Sequence, residues 1–238
     1  MSKKSVPSPP SNVTYATQPL LGCAEPFSSW THLVASVAAV PLFVRLFFLI
    51  KLDWQTLLCT IVYTFSVFFC LVMSGVYHMI QPYTMSRLVM RRLDHSAIFC
   101  LIAGSFTGIH GVFFTSYARW IMPILLWVIA INGIVLKTVF FNKVSDKLGL
   151  YLYLIMGWLG SVSFVIMLVV YKDVIMAVLL IGGGVAYSIG GVIDSIFEKE
   201  FKGIQGYFMS HEVFHVFVVL GLYLHYELVV YGAKGLVE

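Results

Sequence analysis

Charged residues are scarce in this sequence of 238 residues. Asp, Glu, Lys and Arg make up only 11% of it, whereas 60% of the residues are hydrophobic and the mean hydropathy is +0.92. Soluble domains carry about 25% charged residues, so the chain lacks the polar side chains needed to cover a water-soluble globule. Disorder is excluded as well, because Phe, Tyr, Leu and Val are abundant. The composition predicts an integral membrane protein whose surface contacts lipid.

Three other features are missing, and each absence argues against a class of protein. No basic face with interleaved aromatic residues lies outside the apolar runs, so we expect no nucleic-acid partner. The four cysteines do not form the pattern of a disulfide framework, since three of them lie inside apolar runs. The first 18 residues are polar and rich in Ser and Pro, without the short apolar core of a secretory signal. We therefore expect the first hydrophobic run to be retained as a membrane span.

Seven apolar runs, separated by short polar breaks, are each long enough to cross about 30 Å of hydrocarbon. An all-α fold is expected because lipid cannot satisfy exposed backbone groups and the alternating pattern of a membrane β-barrel is missing. The sequence thus predicts a seven-transmembrane helix bundle. The predicted spans are Ser29–Ile50, Trp54–Ile80, Leu93–Thr115, Trp120–Phe141, Leu148–Tyr171, Val174–Phe197 and Phe208–Tyr231.

The lysine and arginine residues outside these spans and near their ends indicate an orientation. Ten of them fall on the side that carries the N-terminus and five on the other. Because cytoplasmic loops are enriched in Lys and Arg, we expect a cytoplasmic N-terminus and an external C-terminus. The predicted organisation is a polar cytoplasmic segment (1–27), a seven-helix membrane domain (28–232) and a short external tail (233–238). The predicted location is the plasma membrane, the inner membrane of bacteria.

Four ionisable residues lie at the ends of predicted spans, where buried charge is costly and marks function. His78 ends the second span, Asp94 opens the third, and His211 and His215 open the seventh. With spans that alternate in direction, all of these ends face the cytoplasmic side. The sequence therefore predicts that the four side chains meet at one level of the membrane.

The residue types at this level are typical of a metal site. His211 and His215 are one helical turn apart and project from one face, and His78 is the natural third ligand. Three histidines with an open fourth position hold catalytic zinc. Ligand type alone also admits copper or iron, whereas calcium and magnesium prefer oxygen ligands. Asp94 is placed to orient or deprotonate a zinc-bound water, and Ser74, one turn before His78, to hydrogen-bond that water or a substrate oxygen.

Four sequence blocks resemble the progestin and adipoQ receptor family, specifically its bacterial haemolysin III branch. Each block is weak alone, but their order, spacing and placement on seven spans agree over nearly the whole chain after about residue 22. The blocks are Glu25-x-x-x-Ser29-x-x-His32, Ser74-x-x-x-His78, Arg91 to Phe99 with Ala103-Gly104, and His211-Glu212-Val213-Phe214-His215 with Gly221 and His225-Tyr226.

The resemblance implies a seven-helix bundle with a cytoplasmic N-terminus and a zinc ion near the cytoplasmic side. It implies zinc ligands at His78, His211 and His215, a water-binding aspartate at Asp94 and a site serine at Ser74. For three further residues it implies a supporting or structural role; these are Glu25, Ser29 and His32. The stretch from Ser105 to Gly108 departs from the branch, and His110 and Asp194 match no feature of it, which leaves the substrate open.

The residues and the resemblance together predict a zinc-dependent hydrolase of a lipid amide or ester. Zinc-bound hydroxide is the expected nucleophile, and Asp94 is expected to move the proton. The resemblance favours ceramide-like amides, because relatives in the family and its wider superfamily hydrolyse them. The expected partners are a membrane lipid, as substrate or ligand, and the bilayer itself; the sequence indicates no particular protein partner.

Three alternatives are weighed against the hydrolase. A membrane receptor or sensor would use the same histidines for a structural zinc. A pore-forming haemolysin would need charged residues through the full depth of a lumen, whereas the residues singled out here gather at one end. An intramembrane metalloprotease is suggested by His211-Glu212-x-x-His215, which matches the zinc-protease motif, but the sequence lacks an acidic stretch for the third ligand.

Overall fold

Helices make up nearly all of the chain that the computed structural model describes, residues 19–197 and 209–235. The only β-type pairing in these residues is an isolated bridge between Leu20 and Cys23. The all-α prediction is therefore confirmed for this part of the chain. The helices are α1 (Pro26–Leu49), α2 (Trp54–Met79), α3 (Met85–Phe113), α4 (Ala118–Thr138), α5 (Asp146–Gly160), α6 (Val162–Tyr171), α7 (Val174–Phe197) and α8 (Ser210–Gly235).

Capping residues explain where several helices begin. Pro26 occupies the first turn of α1, where its missing N–H costs no helical hydrogen bond. Asp53, Thr84 and Ser145 precede α2, α3 and α5, and each side chain accepts a hydrogen bond from backbone N–H groups of the first turn. Such caps satisfy donors that a helix start leaves unpaired. These boundaries follow from local sequence.

Six helices are long and apolar enough to cross a membrane, namely α1 to α4, α7 and α8. The predicted fifth span, Leu148–Tyr171, is instead divided into α5 and α6 at Ser161. The Ser161 N–H group lies 3.2 Å from the carbonyl of Gly157 and 3.1 Å from that of Trp158, so the helix tightens there. At about 1.5 Å per residue, neither half reaches across the hydrocarbon alone. The count of seven spans and the sides on which the termini lie stay predictions.

Parts of three predictions lie outside the described residues. They are residues 1–18 of the N-terminal segment, the start of the seventh span at Phe208, and residues 236–238 of the tail.

Helix α3 is the centre of the bundle. In its most apolar stretch 83% of the residues are buried, compared with 28% in α1 and in α4. Glycines let it approach α2 closely, because a Cβ atom on Gly104 would collide with Ser66 and one on Gly108 with Tyr63. Large apolar side chains on the outer helices point outward, for example Phe48 of α1 and Ile121 of α4. The bundle therefore has an interior of small and aromatic residues and an apolar outer surface.

At the end of α2 opposite His78, an ion pair ties α2 to α4. Arg119 Nη1 lies 3.1 Å from Asp53 Oδ1 and 3.1 Å from Gln55 Oε1, and its Nε donates to the carbonyl of Phe114. Burial alone would raise the pKa of Asp53, but hydrogen bonds from Thr56 and Arg119 lower it from 3.8 to about 2. Asp53 thus serves both as a helix cap and as the anion of this pair.

Candidate metal centre

Three histidines from two helices meet where α2 ends and α8 begins. His78 lies in the last turn of α2, and His211 and His215 lie in the first two turns of α8. The Nε2 atom of His211 is 3.3 Å from that of His78 and 3.1 Å from that of His215. One ring nitrogen from each of the three lies within 4.8 Å of the others. The structure therefore brings together the three ligands predicted from sequence.

The spacing of these nitrogens fits a single metal ion. Zinc–nitrogen bonds of about 2.0–2.1 Å in a tetrahedral arrangement place neighbouring nitrogens roughly 3.3 Å apart. The two measured Nε2 separations are close to this value. The Nδ1 atoms of His78 and His211 contact carboxylates instead of the other histidines. The three side chains are thus able to hold one ion, whose identity the donor set alone does not fix.

His78 is held by a carboxylate behind it. Its Nδ1 atom lies 2.5 Å from Oε2 of Glu25, whose other oxygen accepts a 2.6 Å hydrogen bond from Arg87. The backbone N–H of Glu25 also donates to the carbonyl of His78. Burial alone would raise the pKa of Glu25, but hydrogen bonds and charges from His78 and Arg87 lower it to about 2. An ionised Glu25 accepts a hydrogen bond from Nδ1 of His78 and so fixes the ring. The Nε2 atom of His78 then carries the lone pair that is free to bind a metal.

His211 has a second carboxylate of the same kind. Its Nδ1 atom lies 3.1 Å from Oδ1 of Asp194, near the end of α7. The sequence alone does not assign a role to Asp194. Its position in the last turn of the predicted sixth span, at the level of His211, was the available signal. The pairing brings a third helix to the cluster and orients a second imidazole in the way that carboxylates orient metal-binding histidines.

His215 has no carboxylate partner among the described residues. Its Nδ1 atom lies near the backbone of Ser28 but does not form a hydrogen bond with it. Its ring lies instead against that of His32 from α1, with centroids 4.0 Å apart and planes inclined by 33°. Four imidazoles therefore meet at this point, three converging through nitrogen and one through its ring face.

Asp94 and Ser74 border the same cavity as the histidines. This cavity has a volume of about 480 Å³ and extends along α8 as far as His225. Its apolar walls include side chains from α3, α5, α7 and α8: Ile98, Ile102, Leu150, Leu154, Leu180 and Val218. A cavity of this size falls in the range that takes a small molecule or one arm of a lipid. The cluster is therefore open on one side to a space that is mostly apolar.

Two polar residues that flank the cluster connect helices. Ser28 Oγ donates a 2.9 Å hydrogen bond to Oε1 of Glu212. The other oxygen of Glu212, Oε2, accepts a 2.7 Å hydrogen bond from the N–H of Met209. Ser29 Oγ donates to the carbonyl of Gly75 at 2.8 Å. Glu212 is thus buried and engaged on both oxygens, and Ser29 holds α1 to α2. The arrangement does not favour Glu212 as the general base of a protease.

The remaining buried histidines lie away from the cluster. His110 stands at the far end of α3, where its Nε2 is 2.7 Å from Ser163 Oγ. His225 lies deeper in the cavity, and its Nε2 donates to the carbonyl of Leu180 at 3.2 Å. His225 is ten residues beyond His215, about 15 Å along the helix. Neither belongs to the three-histidine cluster.

Comparison with known proteins agrees with this arrangement. A family model described as "Haemolysin-III related" matches residues 23–226. The chain belongs to the haemolysin-III related family. The match includes every residue of the cluster and of its carboxylate partners, and it confirms the resemblance to the haemolysin III branch of the progestin and adipoQ receptor family.

Two Bacillus proteins are similar in sequence to this chain. Hemolysin-3 of Bacillus cereus is 31% identical over 162 residues, which cover 67% of this chain and 68% of that protein. The Hemolysin-3 homolog of Bacillus subtilis (strain 168) is 30% identical over 139 residues, which cover 56% and 58% respectively. Together with the six apolar helices, these relatives identify the chain as an integral, multi-pass membrane protein and support the plasma (bacterial inner) membrane as its location.

Proposed function

We propose that this haemolysin-III related protein is a zinc-dependent hydrolase of a lipid amide, ceramide-like in type, or of a lipid ester. The observation that supports the proposal is the three-histidine cluster at one end of a largely apolar cavity that Asp94 and Ser74 also border. A metal site, a carboxylate and a hydroxyl at one end of a cavity that can take one arm of a lipid are the parts that such a reaction needs.

The metal would be held by His78, His211 and His215. When bound, zinc supplies a Lewis acid that polarises a carbonyl group and lowers the pKa of water to about 7. Glu25 and Asp194 keep the rings of His78 and His211 oriented through their Nδ1 atoms. These two contacts prepare the ligands before an ion arrives, which is what a site with high affinity requires.

In the proposed reaction Asp94 moves the proton. As a carboxylate it accepts a proton from the attacking water, and as a carboxylic acid it returns that proton to the leaving amine or alcohol. Ser74 donates a hydrogen bond to the substrate carbonyl oxygen. The acyl chain lies along the apolar walls of the cavity, and it enters sideways from the bilayer. The family resemblance favours an amide of the ceramide type.

The proposed topology has seven spans, with α5 and α6 together forming the fifth. The N-terminus is cytoplasmic and the C-terminus external, so the cluster lies at the cytoplasmic leaflet. The loops predicted for that side carry more of the Lys and Arg residues. The substrate is then a lipid of the inner leaflet.

Two observations favour hydrolysis over two of the alternatives, the receptor and the protease. Structural zinc sites are closed by four protein ligands, whereas here the described residues contribute three histidines and the cluster opens on a cavity, which argues against a receptor with a purely structural zinc. The carboxylate of Glu212 is engaged by Ser28 and Met209, which argues against a protease that uses it as base. Lysis is the property that the names of the Bacillus relatives carry, and it needs its own assay.

The test combines metal analysis with product release. Detergent-purified wild-type protein and the variants His211→Ala, His215→Ala and Asp94→Asn are assayed for bound zinc and for fatty acid released from ceramides and other lipid amides and esters. We expect the histidine variants to lose zinc, and Asp94→Asn to keep zinc but lose at least about a hundredfold in turnover. His110→Ala serves as the control at a buried histidine outside the cluster.

Three outcomes would contradict the proposal. Unchanged zinc in both histidine variants would remove the metal site. Zinc-dependent thermal stability without release from any lipid would favour the receptor. Leakage of dye from liposomes that persists in Asp94→Asn would favour a lytic protein.

A further inference from the structure

Helix α1 is fastened on both sides just before His32. Ser28 Oγ bonds to Glu212 of α8, and Ser29 Oγ bonds to the carbonyl of Gly75 in α2. His32 lies four residues after Ser28 and three after Ser29, so the three side chains are on the same face of α1. Its ring is thereby inserted between α2 and α8, the two helices that carry the cluster, and it borders the cavity.

The ring nitrogens of His32 have no hydrogen-bond partner among the described residues. The side chain is 2% exposed, and neither Nδ1 nor Nε2 reaches a polar group with hydrogen-bond geometry, although the backbone of His215 is near. Five of the other six histidines place a ring nitrogen within 3.2 Å of a polar atom, and Nδ1 of His95 lies 3.8 Å from a carboxylate oxygen of Asp146. His32 is buried with neither ring nitrogen in a hydrogen bond.

An unpaired imidazole is a costly choice for this position. A buried donor or acceptor without a partner destabilises the fold, whereas Phe or Leu would fill the same space without that cost. The unpaired nitrogens therefore indicate a partner that enters with a ligand. Such a ligand would reach His32 through the cavity beside it, and the three-histidine cluster lies at one end of that cavity.

We propose that His32 is a further catalytic residue, whose N–H donates a hydrogen bond to the carbonyl oxygen of the substrate and afterwards to the carboxylate of the fatty-acid product. This inference rests on the hydrolase proposed above. A neutral imidazole always carries one N–H, so the contact needs no change of protonation. A donor already fixed where negative charge develops on oxygen lowers the barrier.

The position of His32 separates this role from that of a metal ligand. The three nitrogens that lie close enough to share an ion belong to His78, His211 and His215. His32 meets the cluster through its ring face, against His215. Removal of its nitrogens with retention of the ring should therefore leave metal binding intact and weaken only the binding of an oxygen ligand.

The experiment uses the full-length protein in detergent, loaded with Co²⁺, whose visible absorption reports both metal binding and changes at the metal. Dodecanoate is the probe, because it carries the carboxylate of a fatty-acid product. The variants are His32→Phe, which keeps a ring without a donor, and His32→Gln, which keeps an N–H donor. His110→Phe is the matched control at the far end of α3.

We expect His32→Phe to bind Co²⁺ within about threefold of wild type and dodecanoate at least about tenfold more weakly, the usual loss of a hydrogen bond to a charged group. His32→Gln should recover part of that affinity, and His110→Phe should match wild type in both titrations. If His32→Phe cannot be purified folded, His32→Leu carries the same expectation.

Two results would overturn the inference while leaving the hydrolase intact: dodecanoate binding by His32→Phe equal to wild type, or a loss of Co²⁺ as large as in His78→Ala. A wild-type protein that binds no Co²⁺ would instead contradict the proposed function itself, and the inference with it.

Discussion

The Nδ1 atom of His78 lies 2.5 Å from Oε2 of Glu25, a residue 53 positions earlier in the chain. Glu25 immediately precedes α1, and His78 lies in the last turn of α2. The contact therefore joins the start of α1 to the cluster. Arg87 of α3 bonds to the other oxygen of the same carboxylate. One side chain thus links three helices and orients one imidazole.

Glu25→Gln tests the importance of that charge. The amide keeps the size of the side chain but loses the negative charge that orients His78 and balances Arg87. We expect zinc affinity to fall by about 10- to 100-fold, as for other partners behind metal ligands. Competition with a chelator of known affinity measures the change. Glu227→Gln, on α8 beyond the cavity, is the control, and an unchanged affinity in Glu25→Gln would show that the contact is only structural.

Asp194→Ala tests the second carboxylate. Its removal leaves Nδ1 of His211 without the partner found at 3.1 Å, so the ring is free to turn. We expect zinc affinity to fall by about tenfold or more. Asp194→Asn should lose less, because its amide oxygen still accepts the hydrogen bond. The same chelator competition gives both values. Equal losses in the two variants would mean that charge, and not ring orientation, is what Asp194 contributes.

The convergence of the histidines could be predicted from the sequence, because span ends that alternate across a membrane bring His78 to the level of His211 and His215. Glu25 was also identified, through its motif. Asp194 was not assigned, because a single carboxylate near a span end is equally consistent with pairing to a loop lysine. The Ser28–Glu212 contact was missed for a similar reason, since hydroxyls inside helices usually bond to their own backbone.

The packing order of the helices could not be predicted either. In a membrane both the outer and the inner face of a helix are apolar, so periodicity does not distinguish α3, whose most apolar stretch is 83% buried, from α4, where the share is 28%. The break at Ser161 was missed because hydropathy continues unchanged from α5 into α6. What hydropathy does provide is the number and length of apolar segments. The neighbours of each segment depend on shape, and single-sequence patterns do not encode shape directly.

Gly104→Ala tests the close approach of α2 and α3. A Cβ atom at this position would collide with the Ser66 side chain, and such overpacking costs about 1–3 kcal/mol. We expect a lower unfolding temperature in detergent. The loss should be smaller on a Ser66→Gly background, because the colliding atoms are gone. Gly184→Ala, where a Cβ atom would meet nothing within 4 Å, is the matched control. Equal effects of the two alanine substitutions would contradict the packing assigned to α3.

Asp53→Asn tests the ion pair at the opposite end of α2. The folded-state pKa of Asp53 lies below its ordinary value, at about 2 instead of 3.8, so its charge stabilises the fold above pH 4 and this contribution is lost as the pH falls toward 2. Asn still caps the helix, so the variant removes mainly the charge facing Arg119. We expect the variant to be less stable than wild type at pH 5 to 7, and the difference to shrink between pH 4 and 2. A difference that is constant with pH would assign the effect to the cap.

Glu212→Gln separates the hydrolase from the protease. Both oxygens of Glu212 accept hydrogen bonds, from Ser28 and from the N–H of Met209, and Gln has one oxygen to offer. We expect a loss of stability of about 1 kcal/mol, the usual value of one hydrogen bond, with zinc retained and lipid hydrolysis within about threefold of wild type. Thermal unfolding, metal analysis and fatty-acid release are measured on the same preparation. A general base would behave differently: its amide variant would keep the metal and the fold and lose turnover by at least about a hundredfold. That result would transfer the proton-moving role from Asp94 to Glu212.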